Sequence, residues 1–377
     1  MNSRERLLTV LKGGIPDCVP VAPDFSNMIP AKLTGKPFWQ LYLYNDQPIW
    51  EAYIDCARKF NIDSMMDGYC PLAFPEETSN SPEWINVIVQ KTSDMIVTQK
   101  YYNDNGKKIW SDRVDVYYIA DPPTHGLRPA KIGLPEVPSK WEPLEGVKPV
   151  DVGPANFAKM KRKIGNQGLI GTWLTSSTIL RDEEGIYDFY DHPEKYEKIA
   201  VERVEQVEKR FKRIMSMDEK PDFLCVGGSG TLVYQTVEIF RDYALPALKR
   251  GIELATAAGI PTHVHSCGPE KELVRIMAEE TTLTVIDPLE IPPMGDCDLK
   301  ELKKLYGKKL TLKGNLHTTE VMLRGNVDDV VRASRKAIDD GAEGGRFILS
   351  TGDQCGRDTP FENLEAMVET ARTYGKY

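Results

Sequence analysis

Short runs rich in apolar and β-branched residues, most of them closing on or just before Gly, Asp or Asn, recur along the chain, at residues 19–24, 62–67, 169–174, 223–227, 262–267, 283–287, 310–315 and 346–351. Continuous hydrophobicity over so short a span predicts strands covered on both faces. From the third run onward, nearly every pair is separated by a stretch with apolar residues at helical spacing. That alternation is the pattern of parallel strands joined by right-handed crossovers. Eight such strands predict an α/β protein built as a (β/α)8 TIM barrel, whose functional groups gather at the C-terminal strand ends.

Helix starts are explicit at several places. Thr359-Pro360-Phe361-Glu362 combines an N-cap Thr, Pro at the first helical position and Glu three residues after the cap, ahead of Leu364, Met367, Val368 and Ala371. Asp191-His192-Pro193-Glu194 opens a long charged helix in the same way, and Asp298 precedes Leu299, Leu302 and Leu305 before Gly307. Residues 1–14 read as a helix with Ser3 as N-cap and Leu7, Leu8, Val10 and Leu11 on its apolar side. They lack the unbroken apolar core of a signal peptide, and no run reaches transmembrane length.

One stretch departs from this rhythm. Residues 83–124 alternate apolar and polar positions around Asn103-Asp104-Asn105-Gly106, which predicts a β-hairpin or meander inserted between barrel strands 2 and 3. A Pro-rich segment, 122–154, leads back to the barrel, so residues 83–154 are expected to form a cap within one domain spanning 1–377.

A formal charge of −8 and a pI near 5.4, with no basic block, argue against nucleic acid as a partner. The seven cysteines are scattered through a large chain without an export signal, which predicts reduced thiols and a cytoplasmic location. Two of them lie where strand runs end. In His265-Ser266-Cys267 the first and third side chains point to one side of a strand, offering an imidazole and a thiolate to one point in space. Cys355, far downstream in Ser350-Thr351-Gly352-Asp353-Gln354-Cys355-Gly356, follows the last strand and would complete a three-ligand zinc site with one position open.

His263 lies deeper on the same strand and reads as a core histidine or a substrate contact. Asp24, Asp67, Asp287, Glu290 and Asn315 at other strand ends give an acidic, polar rim, and Trp173 offers a flat face for a ligand. Two thiolates lower the Lewis acidity of a zinc ion, so such a set favours activating a thiol over activating water. Group transfer to sulfur, most simply of a methyl group, is the reaction this ligand set suits. No dinucleotide or P-loop fingerprint supports hydride or phosphoryl transfer.

The chain resembles the uroporphyrinogen decarboxylase superfamily, and within it the zinc-containing methylcobamide:thiol methyltransferases. The resemblance runs from Ser3-Arg4-Glu5-Arg6-Leu7-Leu8 and Pro16-Asp17-Cys18-Val19-Pro20-Val21, through Phe240-Arg241-Asp242-Tyr243-Ala244-Leu245-Pro246, His265-Ser266-Cys267-Gly268 and Lys313-Gly314-Asn315-Leu316, to Thr359-Pro360-Phe361-Glu362-Asn363-Leu364-Glu365-Ala366-Met367. It implies zinc held by His265, Cys267 and Cys355, a methyl group exchanged with a corrinoid such as methylcobalamin on a partner protein, and a small-molecule donor or acceptor such as a thiol. Asp287 or Glu290 would position that substrate.

The decarboxylase branch differs. Its arginine-rich loop after the first strand has no counterpart in Asp24-Phe25-Ser26-Asn27-Met28, and its Phe-Ser-Asp element meets Met66-Asp67-Gly68-Tyr69. The alternative is a metal-free decarboxylase or lyase acting on a carboxylated or tetrapyrrole-like substrate, with Asp67 as acid–base group. A third is a non-catalytic corrinoid-binding or chaperone protein using the same cavity.

Overall fold

The computed structural model describes residues 1–67, 72–74 and 82–377. In chain order the strands are β1 (Ser64–Met66), β2 (Ile85–Lys91), β3 (Met95–Asp104), β4 (Lys107–Tyr118), β5 (Thr124–Leu127) and β6 (Glu142–Pro143), then β7 (Gly168–Trp173), β8 (Phe223–Cys225), β9 (Thr262–His265), β10 (Val285–Asp287), β11 (Thr311–Leu316) and β12 (Phe347–Thr351). The chain divides into two compact units. The first comprises Met1–Phe25, Ala57–Pro71 and Phe157–Tyr377, and the second Ser26–Cys56 with Leu72–Asn156.

The first unit holds a seven-stranded parallel sheet in the order β1-β7-β8-β9-β10-β11-β12. Each strand pairs with the next of these seven in chain order, and helices such as Pro193–Met215, Leu245–Ala257, Lys271–Glu280 and Val327–Gly341 run between strands. The predicted first strand, 19–24, is not a ladder. Val21 makes one parallel bridge to Leu349 of β12, whose N–H donates to Pro20 O at 2.9 Å, while Asp63, just before β1, donates to Val21 O at 2.8 Å. The segment therefore touches both edges of the sheet, as in a curled, TIM-like barrel. Pro20 and Pro23 lack the N–H groups a continuous ladder needs.

The first helix, Ser3–Leu11, packs Leu7, Val10 and Leu11 against Leu169, Phe223, Val285 and Ile348 at the starts of four strands. Each fully buried Leu or Val there contributes roughly 1.5–3 kcal/mol. Its cap is Asn2 rather than Ser3, because Glu5 is then placed to close a capping box. Arg4 reaches the Asp222 carboxylate through two bonds of 2.6 and 2.8 Å, and Arg6 meets the buried Asp63 at 2.7 Å. Asp298 caps the helix Leu299–Tyr306 as its spacing predicts, its side chain accepting from Glu301 N–H at 2.9 Å. The last helix begins one residue later than predicted, at Phe361, with Pro360 in the cap position and Thr359 buried.

The second unit is built on a five-stranded antiparallel sheet, β5-β4-β3-β2-β6. Asp104 pairs with Lys107 across Asn105-Gly106, both at positive φ (48° and 84°), the conformation a two-residue hairpin turn requires. Val97, Val114 and Val116 form part of its core. Among the described residues, no helix is long and apolar enough to cross a membrane.

Candidate active site and cation-binding cluster

Alternation along β9 puts His263 and His265 on one side of the sheet, and the parallel register sets His263 beside Val285 and Cys225 and His265 beside Asp287. Asp287 is the hub. Its Oδ1 lies 2.9 Å from His263 Nε2 and 3.0 Å from His265 Nδ1, and its Oδ2 accepts from the Lys313 ammonium of β11. His263 Nδ1 lies 3.1 Å from Asp67 Oδ2, which also accepts from the Cys225 thiol at 3.4 Å.

Beyond the strand end, Ser266 N–H donates to Asp287 O at 2.8 Å and Gly268 N–H to Glu290 Oε2 at 2.5 Å. Gly268 has φ +92°, and a Cβ there would stand 2.9 Å from Val233 Cγ2, so the turn that aims Cys267 toward Glu290 needs glycine. The other nitrogen of His265, Nε2, faces Asp353 Oδ1 at 3.7 Å. Two sets of side chains here bring their ligand atoms within 4.8 Å of one another: Asp24, His265 and Asp353, and Cys267, Glu290 and Asp353. They share Asp353, so the two sets are one cluster. Asp67, Cys225 and His263 form a third, deeper set of the same compactness.

Charge is concentrated below the rim. Burial works against ionising Asp287, yet the Lys313 charge and both histidines hold its carboxyl well below the usual range. Burial opposes protonation of His263 and His265, but Asp287, joined by Asp67 at His263 and by Asp24 at His265, raises both. Asp67 is likewise disfavoured by burial and held low by its bond to His263. Burial, then the neighbouring Asp353 charge, pushes Glu290 up. Cys355 is fully buried, and burial followed by the Asp24 charge raises its thiol.

The donor set fits a divalent metal of borderline softness such as zinc. It contains an imidazole, a thiol and carboxylates, and His265 is oriented as metal-bound histidines are, with one nitrogen held by a carboxylate and the other turned to the cluster. Of the predicted ligands, His265 and Cys267 come together. Cys355 belongs to none of the compact sets among the described residues; its N–H donates to Asp24 O at 2.8 Å, which seats it beside the cluster. The predicted rim residues Asp24 and Glu290 are in the cluster, while Asp287 lies beneath it as the partner of His265. Asp67 and His263 form the deeper layer. Asn315 donates to Leu289 O at 3.1 Å, and Trp173 packs against the barrel core.

Sequence reasoning missed Asp353, Lys313 and Cys225. Asp353 sits two residues before Cys355 in the same loop, and a lysine within the apolar run of β11 was the signal for Lys313. Cys225 gave none, since a thiol amid Phe223, Leu224 and Val226 reads as core packing.

Residues 187–374 match the family model described as Uroporphyrinogen decarboxylase (URO-D), a span that contains β8 to β12 and all of the cluster except Asp24. Among solved structures, a methyltransferase from Methanosarcina mazei is 17% identical with a TM-score of 0.57, covering 99% of this chain and 99% of its own. A B12-independent methionine synthase from Shewanella sp. W3-18-1 is 16% identical with a TM-score of 0.34, covering 63% of this chain and 70% of its own. No curated protein matches the chain. The first likeness establishes a shared fold across the full length of both chains.

Proposed function

We propose that this chain, a member of the uroporphyrinogen decarboxylase superfamily, is a zinc-dependent methyltransferase that exchanges a methyl group between a corrinoid, carried by a partner protein, and a small molecule such as a thiol. The observation that carries the reading is His265 itself. It stands at a C-terminal strand end with Nδ1 held by Asp287 and Nε2 turned toward the cluster of Cys267, Asp353 and Asp24. The reading also takes the five-stranded sheet and the Pro-rich stretch to residue 154 as an insertion between barrel strands 2 and 3, and the location as cytoplasmic.

His265, Cys267 and a carboxylate, Asp353 or Asp24, would hold the metal, with Cys355 beside them as the remaining thiol. Zinc would supply positive charge that keeps a substrate thiol deprotonated at neutral pH. The rest is the work of side chains. Asp287 fixes the ring of His265, and Lys313 keeps Asp287 ionised. Glu290, raised by burial, is placed beside Cys267 to accept the proton a thiol releases. In the transfer the new S–C bond forms as the Co–C bond breaks, its electron pair staying on the substrate corrinoid.

The test is methyl transfer from methylcobalamin to a panel of thiols, followed by loss of methyl-corrinoid absorbance. Turnover that disappears in Cys267→Ser and on chelation supports the reading; turnover unchanged by both overturns it. The metal-free lyase is less favoured, because Asp67 is committed to His263 and held ionised, a poor general acid.

A further inference from the structure

At the far end of the parallel sheet from the His265 cluster lies a cavity of about 610 Å³. It is bounded by the start of β12, the turn after the first helix, the helix Leu299–Tyr306 with the residues that follow it, and the end of the helix Val327–Gly341. Its lining is cationic. Lys300, Lys304 and Lys308 recur four residues apart, one helical face as far as the helix extends, and Lys303 and Arg346 stand with them. The acidic groups on the lining are three, and two are engaged: Asp340 with Lys336, and Asp339 with the Tyr374 hydroxyl at 2.9 Å. Glu343 is the third.

Arg346 is the unusual member. Among the described residues its guanidinium has no hydrogen-bond or ion-pair partner, although it is half-buried. Its backbone has φ +50°, a left-handed conformation that is costly for a residue with a Cβ. The guanidinium lies against Gly13, where a Cβ would stand 2.3 Å from Nη2, so a glycine at φ +81° makes room for it. Among the described residues Lys303 bonds only the neutral carbonyl of Gly345, and burial, then the charge of Arg346, pushes it down to about 8. Two partly buried cations are thus held close together, against their mutual repulsion, facing open space.

We propose that this cavity is a binding site for a small molecule carrying two or more linked phosphates, clamped by Arg346 and Lys303 and screened by Lys300 and Lys304. A planar guanidinium next to an ammonium matches phosphate oxygens bidentately and neutralises more than one charge. The cavity is larger than a single phosphate needs. The site is separate from the metal cluster and independent of the function assigned to it.

Calorimetric titration of the full chain with pyrophosphate tests this, with inorganic phosphate as the comparison. Saturable pyrophosphate binding is expected, tighter than phosphate and weakened by added salt. Arg346→Met should weaken it by on the order of tenfold or more. Because that position is strained, the exposed pair Lys300→Gln/Lys304→Gln serves as a second variant that cannot disturb the core, and should weaken binding several-fold. Cys267→Ser should leave it unchanged. Absence of saturable binding, affinity unchanged from wild type in both basic-site variants, or loss of binding in Cys267→Ser, which would move the ligand to the metal cluster, each overturns the proposal.

Discussion

At the residue scale the site depends on one carboxylate serving two rings and an ammonium. Asp287→Asn keeps the shape but removes the charge that orients His265, and is expected to weaken metal binding by roughly 10–100-fold. Competition with a chromogenic chelator measures this directly. Lys313→Met leaves Asp287 without its ammonium partner in a buried setting and should cost on the order of 3 kcal/mol in urea denaturation. His265 was legible in the sequence because alternation along β9 fixes where it points, and Cys267 and Glu290 because they follow strand ends; the strand stops at His265, so Cys267 is placed by the turn and not by alternation. Asp353 was not, because a loop residue has no periodicity, and its place beside both His265 and Cys267 depends on the path from β12. Cys355, the expected third ligand, is buried, and its backbone N–H bonds the Asp24 carbonyl, which seats it beside the cluster.

At the element scale the first helix is tied to the sheet by charge as well as by Leu7, Val10 and Leu11. Asp222, just before β8, accepts from Arg4 and from Ile170 N–H of β7, and lies close to Lys161. Burial alone would raise its carboxyl, but these partners hold it below its ordinary value. A depressed carboxyl contributes stability that is full above its unfolded pKa and lost as pH falls through its folded one. Asp222→Asn should therefore destabilise the protein at pH 7 by about 2–3 kcal/mol, a difference that shrinks below roughly pH 4, as urea titrations at both pH values would reveal. Seven of the eight predicted strand runs contain a strand, because short, largely apolar runs set between helical patterns have few other solutions. The exception, 19–24, fills its place with a bridge instead of a ladder, for which Pro20 and Pro23 were visible reasons. Cap positions slipped by one residue at both chain ends, where Asn2 and Pro360 took the places read for Ser3 and Thr359.

At the scale of the whole molecule, alternating strands and helices were enough to anticipate a parallel sheet, and the His265 cluster lies at its C-terminal strand ends. The sequence did not disclose how many strands the 83–154 stretch would form, since β5 and β6 are too short to leave a pattern. The family model covers 187–374, and the Methanosarcina mazei methyltransferase extends the shared fold over the whole length. What chemistry the barrel performs turns on the cluster around His265. The most direct test is the metal content of protein purified without chelator or affinity nickel, for wild type and Cys267→Ser. About one zinc per chain, lost in the variant, is the predicted result; a well-folded wild type that neither carries zinc nor takes it up would contradict the assignment.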